Sequence, residues 1–274
     1  MPSYVITGAS RGLGFEFVRQ LAADSNNTVI GLVRNKAAAD DKAKAQGLTA
    51  AHFVEAQYTD LASLKSAAEV VKKITGGELN VLINNAANVS EISELRTLGD
   101  FHDDFDKMEA DLKDTFDVNV LGVIKTVEAF IPLIQAADKS SVKKVITISS
   151  GMSDLELINS AEVAVSAPYA ISKGALNVAI AKYNALYKSE GILFMAICPG
   201  YVATERATHD IVGEDDKARY ADLGAKFLSF APHFTGMMTP QEAVATVLGL
   251  ADKSSIENGD GGTFVSHHGN KQWF

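Results

Sequence analysis

Short runs of apolar residues alternate along this chain with longer segments whose apolar residues recur at helical spacing. The runs predict strands at residues 4–7, 28–33, 50–55, 79–83, 144–148, 192–197 and 262–266. The longer segments predict helices at residues 14–23, 61–74, 111–136, 168–189 and 240–251. Continuously apolar strands are typical of a sheet covered on both faces, and their alternation with helices predicts parallel units with right-handed crossovers. We therefore predict an α/β fold, with one Rossmann-type doubly wound parallel sheet of about seven strands and helices on both faces.

Two segments depart from this alternation. Residues 88–110 are acidic and irregular, whereas residues 203–239 place phenylalanines and methionines among polar residues. We interpret the second segment as a substrate lid; the alternative is a surface helix with an apolar inner face. No linker rich in proline, glycine or serine divides the chain, so residues 1–274 are predicted to form a single domain.

Composition narrows the possible partners and location. The net charge of −9 gives no basic footprint, which argues against nucleic-acid binding. No apolar run approaches the ~18 residues of a membrane span, and the first residues lack the pattern of a signal peptide. The single cysteine, Cys198, cannot form an internal disulfide. Together these features predict a cytoplasmic protein without membrane association.

A glycine-rich turn joins the first predicted strand to the first predicted helix. Its glycines are Gly8, Gly12 and Gly14, in the pattern Gly-x-x-x-Gly-x-Gly. Glycine lets the backbone approach a pyrophosphate closely, and the helix behind the turn offers unpaired N–H groups. The strand–turn–helix context therefore predicts a dinucleotide site; the alternative is a glycine-rich turn without a ligand.

A basic residue stands where NAD-binding sites usually have an acidic one. The acidic residue falls ~20 positions after the last glycine, and here that position is Arg34. A guanidinium matches a 2′-phosphate, and Arg11 within the turn adds a second cation. These residues favour NADP(H); the alternative for Arg34 is an ordinary surface arginine.

Tyr169 and Lys173 form a Tyr-x-x-x-Lys pair at the start of a predicted helix. Residues four apart share a helical face, so the ammonium can lie near the phenol. A neighbouring cation is expected to lower the phenol pKa toward neutrality, where the group can transfer protons. The fifth predicted strand ends at Ser149 and Ser150, on the edge where open α/β sheets place their sites. Ser150 is placed to bind a substrate carbonyl, although spacing alone does not exclude Ser149.

Taken in order, these motifs resemble the short-chain dehydrogenase/reductase family over almost the whole chain. The matching motifs are Thr7-Gly8 through Gly14, Asn84-Asn85-Ala86-Ala87, Asn119, Ser150, Tyr169 with Lys173, and Pro199-Gly200-Tyr201-Val202-Ala203-Thr204. The tail from Gly262 to Trp273 resembles the subgroup of C-factor and sniffer-type carbonyl reductases. Within that subgroup the chain is similar to fungal ketoreductases of the norsolorinic acid ketoreductase type.

The resemblance implies a role for each matching residue. Tyr169 would be the general acid, Lys173 would lower its pKa and hold the nicotinamide ribose, Ser150 would polarise the carbonyl, and Asn119 would hold a water of a proton relay. The implied cofactor-binding residues are Gly8, Ser10, Arg11, Gly12, Leu13, Gly14, Arg34, Gln57, Asn85, Ala86, Tyr169, Lys173, Pro199, Gly200, Val202 and Thr204. The implied partner is a small carbonyl or alcohol substrate, and the implied assembly is a homodimer or homotetramer through the helices at 111–136 and after Tyr169. The alternative is that one chain already buries those helix faces.

Three positions depart from the family pattern. Ala87 stands where the family usually has glycine, and Gln57 stands where it usually has an acidic residue near the adenine. Tyr169 follows Ser150 by 19 positions, a wider spacing than usual. The extra residues, at about 153–165, are expected to loop out beside the site and include apolar residues that could line a pocket: Leu155, Leu157, Ile158 and Val163.

The sequence thus predicts an NADPH-dependent carbonyl reductase that acts on an apolar, aromatic or polyketide-like ketone or aldehyde. Two other functions remain open: a dinucleotide-binding regulator without catalysis, and an epimerase or dehydratase on the same fold. No metal site is expected, because the histidines show no ligand spacing and the acidic stretch from Asp100 to Asp106 lacks the glycine and glutamate of a calcium loop.

Overall fold

A seven-stranded parallel sheet forms the centre of the computed structural model, which describes residues 1–205 and 213–274. The strand order is β3-β2-β1-β4-β5-β6-β7. The strands are β1 (Ser3–Thr7), β2 (Thr28–Val33), β3 (Ala51–Glu55), β4 (Val81–Asn84), β5 (Lys144–Ile148), β6 (Leu193–Cys198) and β7 (Phe264–Ser266). Every pairing is parallel; Val5 of β1, for example, lies opposite Ile30 of β2 and Leu82 of β4. This confirms the predicted sheet, and all seven predicted strands overlap an observed one.

Nine α-helices connect and cover the strands in the described residues. They are α1 (Gly12–Leu21), α2 (Lys36–Ala45), α3 (Leu61–Thr75), α4 (Phe105–Phe116), α5 (Gly122–Ala136), α6 (Leu155–Ser160), α7 (Ala167–Tyr187), α8 (Glu214–Phe230) and α9 (Pro240–Lys253). No helix in residues 1–205 or 213–274 is long and apolar enough to cross a membrane.

Alternate side chains of each strand point into two separate hydrophobic cores, one on each face of the sheet. On one face Val5 packs with residues of α3, α5 and α7, such as Leu64 and Phe130. On the other face Ile6 packs with residues of α1 and α9, such as Phe17. Because both faces bury aliphatic side chains, the strands read as continuous apolar runs rather than as alternating ones.

The strand order reverses between β1 and β4, which fixes the place of the site. From β1 the chain proceeds outward to β2 and β3, then returns to β4 on the other side. The connections after β1 and β4 therefore leave the carboxyl edge in opposite directions. A crevice opens between them, where doubly wound sheets bind ligands.

The observed helices correct the prediction for two regions. Helix α2 was not predicted, because alanines dominate it and give no apolar stripe; its start is fixed by Asn35, whose side chain accepts from the Ala38 N–H. The helix predicted at 111–136 begins at Phe105, so the last residues of the 88–110 segment are not irregular. Asp104 caps α4 by accepting from the Lys107 N–H, at 3.3 Å. A π-helical turn, Asp117–Leu121, then separates α4 from α5.

A third apolar cluster lies beneath the carboxyl edge and joins three distant segments. It contains Leu157 and Val163 from the extra residues after Ser150, Phe227 from α8, and Trp273 near the end of the chain. The extra residues form α6 instead of an open loop. Leu157 and Val163 are buried in this cluster, and Leu155 is exposed. The expectation that these three side chains line a pocket is therefore wrong.

Candidate active site

Two cavities meet at the carboxyl edge of the sheet. The larger, of about 580 Å³, runs along the ends of β1, β2 and β4. The smaller, of about 350 Å³, lies under α8. Tyr169, Leu13, Val89 and Pro199 line both cavities, so the phenol of Tyr169 stands at their junction.

The glycine-rich turn forms one wall of the larger cavity. Gly8 has φ +68°, and a Cβ there would lie 2.9 Å from the Cα of Ala86, so only glycine fits. The Asn85 side chain donates to the Thr7 and Gly8 carbonyls and holds the turn against β4. Helix α1 starts directly after the turn, and its N-cap residue Arg11 makes no side-chain capping bond. The first N–H groups of α1 are therefore available to an anion.

Most of the predicted cofactor residues line this larger cavity: Gly8, Ser10, Arg11, Gly12, Leu13, Arg34, Gln57, Asn85, Ala86, Tyr169, Lys173, Pro199 and Thr204. Three do not. A Cβ on Gly14 would lie 2.2 Å from the Gly8 carbonyl oxygen, so this glycine permits close packing of turn and helix. Gly200 and Val202 line the smaller cavity instead. The larger cavity is thus lined both by the glycine-rich turn and by Tyr169.

Two arginines line the larger cavity beside the glycine-rich turn, and a lysine lies next to that turn. Arg11 and Arg34 are exposed, and neither guanidinium is paired with another described residue. Lys42 of α2 donates to the Ser10 carbonyl at 3.2 Å and lies 3.8 Å from Glu205. The sequence did not single out Lys42, because α2 itself was not predicted.

The two serines after β5 face different ways. Ser149 donates to the Asn177 side chain of α7 at 2.6 Å and lines the larger cavity. Ser150 lines the smaller cavity together with Tyr169. Ser150 also caps the short 3₁₀ turn Gly151–Ser153 by accepting from the Met152 N–H. Ser150 thus shares the smaller cavity with the phenol, whereas the Ser149 hydroxyl is engaged by Asn177.

Tyr169 and Lys173 lie on one face of the first turns of α7, as the spacing predicts. The Lys173 Nζ is 5.6 Å from the centre of the Tyr169 ring, and it donates to the Ile148 carbonyl at 2.8 Å. Burial raises the pKa of Tyr169 to about 12, against the lowering effect of its bond to Ser150. Burial also lowers the pKa of Lys173 to about 8. The predicted lowering of the phenol pKa is thus wrong, because desolvation by burial is the largest influence on the phenol and raises its pKa.

Asn119 lies in the π-helical turn and ties three segments together. Its side chain accepts from the Asn88 N–H at 2.7 Å and donates to the Asn88 carbonyl and the Ser172 hydroxyl, each at 2.9 Å. A π-helical turn widens the backbone bonding from four residues to five and leaves a carbonyl without its usual partner. Asn119 therefore lies beside α7, where it is hydrogen-bonded to Ser172, the residue before Lys173.

The smaller cavity has an aromatic wall and a charged rim. Its lining includes Tyr201, Tyr220, Leu223 and Phe227, most of them from α8, and the charged residues Glu91, Glu94, Arg96 and Asp216. Arg96 pairs with Asp216, and Arg219 of α8 binds Asp100 through two hydrogen bonds of 2.8 and 2.9 Å. These ion pairs join α8 to the segment after β4. Residues 206–212 of the predicted lid lie outside the described residues.

Histidines and carboxylates form no group of three that could hold a metal in residues 1–205 and 213–274. His267, next to the Pro199-Gly200 turn, is buried, and burial lowers its pKa to about 4. It therefore stays neutral near pH 7.

A parallel sheet with a glycine-rich turn, and with Ser, Tyr and Lys side chains at its carboxyl edge, is typical of dinucleotide-dependent oxidoreductases. Comparison with known proteins identifies the family within that class. The family model for short chain dehydrogenases matches residues 3–213, and the chain belongs to this family. It is 43% identical over 275 residues to the short chain dehydrogenase virK of Hypocrea virens. It is 45% identical over 274 residues to the short-chain dehydrogenase/reductase AacuF of Aspergillus aculeatus, and both alignments cover 100% of each chain.

Solved structures show the same architecture. The NADPH-bound carbonyl reductase from chicken fatty liver superposes with a TM-score of 0.76 at 25% identity, covering 98% of each chain. The carbonyl reductase Sniffer of D. melanogaster superposes with a TM-score of 0.77 at 20% identity, also over 98% of each chain. At that identity the second likeness shows the fold alone. The family and its neighbours support a dehydrogenase or reductase acting on alcohol or carbonyl groups.

Proposed function

We propose that this protein is an NADPH-dependent carbonyl reductase that reduces a ketone or aldehyde of an apolar, aromatic or polyketide-like small molecule. One observation carries the proposal: Tyr169, which is only partly exposed, stands at the junction of the cavity lined by the glycine-rich turn and a second cavity, whose lining it shares with Ser150. A group at that junction can reach both a bound cofactor and a bound carbonyl. A regulator that only senses a dinucleotide has no use for the second cavity.

Each residue of the group has a separate role in the proposed reaction. NADPH, when bound in the larger cavity, would supply a hydride for the carbonyl carbon. Ser150 and Tyr169 donate hydrogen bonds to the carbonyl oxygen, which stabilises the negative charge that develops there. Tyr169 then transfers its proton to the oxygen. Lys173 would hold the nicotinamide ribose in the larger cavity. Asn119 positions α7 and would hold a water of a proton relay to solvent.

The acid–base state of Tyr169 suits a proton donor. With a pKa near 12, the phenol is protonated throughout the physiological range. Protonated phenol is the form that can donate to a developing alkoxide, which is a far stronger base than phenolate.

The choice of NADP(H) rests on charge at the far end of the larger cavity. Arg11 and Arg34 line it without an ion-pair partner among the described residues, and Lys42 lies beside the turn. A doubly charged 2′-phosphate would satisfy these cations, whereas a ribose hydroxyl would not. The carbonyl reductase from chicken fatty liver, which the chain resembles at 25% identity, was solved with NADPH bound.

We also propose that α8 and the residues before it form the lid of a single-domain enzyme. Helix α8 supplies an aromatic wall of the smaller cavity and is tied to the segment after β4 by ion pairs.

The protein is proposed to work in the cytoplasm as a homodimer or homotetramer. Helix α7 leaves Ile171, Val178 and Leu186 exposed by 47%, 61% and 61%, so a single chain does not bury them.

Replacing Tyr169 tests the proposed function. We expect Tyr169→Phe to lose most NADPH oxidation with ketones, by at least about a hundredfold, because it removes the proton donor. NADPH binding, measured by fluorescence, should persist. The matched control is Tyr183→Phe, since Tyr183 packs against Phe194 and lines neither cavity. Unchanged turnover in Tyr169→Phe would refute the role, and substrate conversion without net NADPH oxidation would favour an epimerase or dehydratase.

A further inference from the structure

Ser166, the residue directly before helix α7, has a backbone conformation that serine rarely adopts. Its φ of 62° and ψ of 34° lie in the left-handed region. In residues 1–205 and 213–274, Glu162 is the one other non-glycine residue with a positive φ. The Cβ of an L-residue crowds the following carbonyl oxygen in this region. Such a conformation persists where the surroundings fix it, and it clusters at functional sites.

Backbone contacts on both sides fix the conformation of Ser166. Its N–H donates to the Arg96 carbonyl at 3.0 Å, and its carbonyl accepts from the Ala170 N–H at 3.0 Å. The residue before it, Val165, forms an antiparallel bridge with Thr97. The segment after β4 and the first turn of α7 therefore hold Ser166 between them, and the direction of its side chain is set.

The hydroxyl of Ser166 makes no hydrogen bond to a described residue. A polar residue at the start of a helix usually accepts from an N–H of the first turn, as Asn35 does in α2 and Thr239 does in α9. Ser166 makes no such capping bond. It is only 5% exposed, and it lines the smaller cavity together with Ser150 and Tyr169. The hydroxyl is therefore available to a molecule that occupies this cavity.

The proposed reaction leaves the Ser166 hydroxyl to a second group of the substrate. A carbonyl oxygen has two lone pairs, and Ser150 and Tyr169 use both in the proposed reaction. A serine hydroxyl donates and accepts, so it can bind another hydroxyl or carbonyl oxygen. Ser166 precedes Tyr169 by three residues, a spacing that places both on one side of α7. The second oxygen would therefore lie close to the reacting carbonyl.

We propose that Ser166 is a substrate-binding residue whose hydroxyl bonds a second oxygen of the ketone, near the reacting carbonyl. The inference rests on the proposed function for its reaction, and it adds a substrate class, the oxygenated ketones. The left-handed backbone keeps the hydroxyl away from the helix N–H groups and turned to the cavity. A ketone without the second oxygen would leave this contact unmade and would be the poorer substrate.

The test measures one ratio in three variants. The probes are benzylacetone and the two derivatives that carry one hydroxyl on the carbons between its ring and its carbonyl. In the wild-type protein we expect the better hydroxy derivative to exceed benzylacetone in kcat/KM by about fivefold, as for one hydrogen bond between uncharged groups. This ratio should fall to about one in Ser166→Ala and in Ser166→Gly. Because glycine tolerates the left-handed region, Ser166→Gly should also melt at a higher temperature than Ser166→Ala.

Glu162→Gly is the matched control. It relieves the same kind of backbone conformation, at φ 52°, and Glu162 lines neither cavity, so the variant should keep the wild-type ratio. Calorimetry with the NADP⁺-loaded protein should show the same preference for the hydroxy derivative, and its loss in both Ser166 variants, whether or not turnover occurs.

The outcomes separate this contact from the reaction itself. Failure of the proposed function would appear as wild-type protein that oxidises NADPH with none of the three ketones, and calorimetry would still report on Ser166. Equal losses for all three ketones would mean that Ser166 only shapes the start of α7, and would overturn the inference. An unchanged ratio in either Ser166 variant, or wild-type protein that binds the hydroxy derivatives no better than benzylacetone, would overturn it as well.

Discussion

Gly151 offers a sharp test of how the reactive serine is held, because its neighbours are fixed. It directly follows Ser150 and begins the 3₁₀ turn Gly151–Ser153. The buried ring of Trp273 packs against it from below. A Cβ at position 151 would lie 3.0 Å from Trp273 Cγ and 3.1 Å from Trp273 Cβ and Cδ2. Gly151→Ala therefore forces the turn and the indole apart.

The size of the effect follows from this overlap. The contact must open by a few tenths of an ångström, and Trp273 cannot yield freely because its ring stacks on Phe264 with centres 4.7 Å apart. Overpacking of this kind costs about 1–3 kcal/mol of unfolding free energy. A displacement of ~1 Å at a reacting group costs roughly a hundredfold in rate, so a shift of a third of that predicts a loss of roughly fivefold in kcat.

The assay is NADPH oxidation at saturating ketone, together with thermal unfolding. Gly174→Ala is the matched control, because Gly174 is also next to a reactive residue, Lys173, but its Cβ would meet only Ser153 at 3.9 Å. Within helix α7 this exchange should stabilise the protein by about 0.5–1 kcal/mol and leave kcat unchanged. The reasoning is refuted if Gly151→Ala keeps full kcat and stability, or if both exchanges lower kcat equally.

Two further predictions concern the cofactor. Arg34→Ala should lower kcat/KM for NADPH by about tenfold and leave that for NADH unchanged, because it removes an exposed charge-assisted contact to the 2′-phosphate; equal losses with both cofactors in steady-state assays would contradict that role. The pKa of Lys173 is lowered to about 8, so its ammonium is present below that pH and is lost above it. NADPH affinity of the ligand-free protein, measured by fluorescence titration, should therefore weaken as the pH rises through about 8, and Lys173→Met should bind weakly with a flat profile across this range.

Local pattern was sufficient for the sheet and for much of the site. Strands β2 and β5 run over the predicted residues, because apolar runs bounded by polar residues specify strands buried on both faces. The glycine turn and the Tyr169–Lys173 pair could also be predicted, since each depends on spacing within one turn or one helix. Helix α2 could not, because its alanines carry no apolar periodicity and its start depends on the cap at Asn35.

Features that depend on contacts between residues far apart in the chain could not be predicted from the sequence. Asn177 of α7 accepts the Ser149 hydroxyl, a contact that spacing along the strand could not reveal. The hydrogen bond between the hydroxyls of Tyr201 and Tyr220 forms only when α8 folds over the Pro199-Gly200 turn, and no local pattern encodes that approach. The pKa of Tyr169 also went against expectation, because the degree of burial was unknown.

The sequence by itself determined the strands, the glycine-rich turn and the approach of Tyr169 to Lys173, because short-range spacing and apolar periodicity encode them. The tertiary structure alone decided which cavity Ser150 shares with Tyr169, how strongly Tyr169 and Lys173 are desolvated, and which side chains enclose the second cavity. These properties depend on packing between segments far apart in the chain, such as the cluster of Leu157, Phe227 and Trp273 beneath the site. Burial and contact across such distances set the energies that local pattern does not contain.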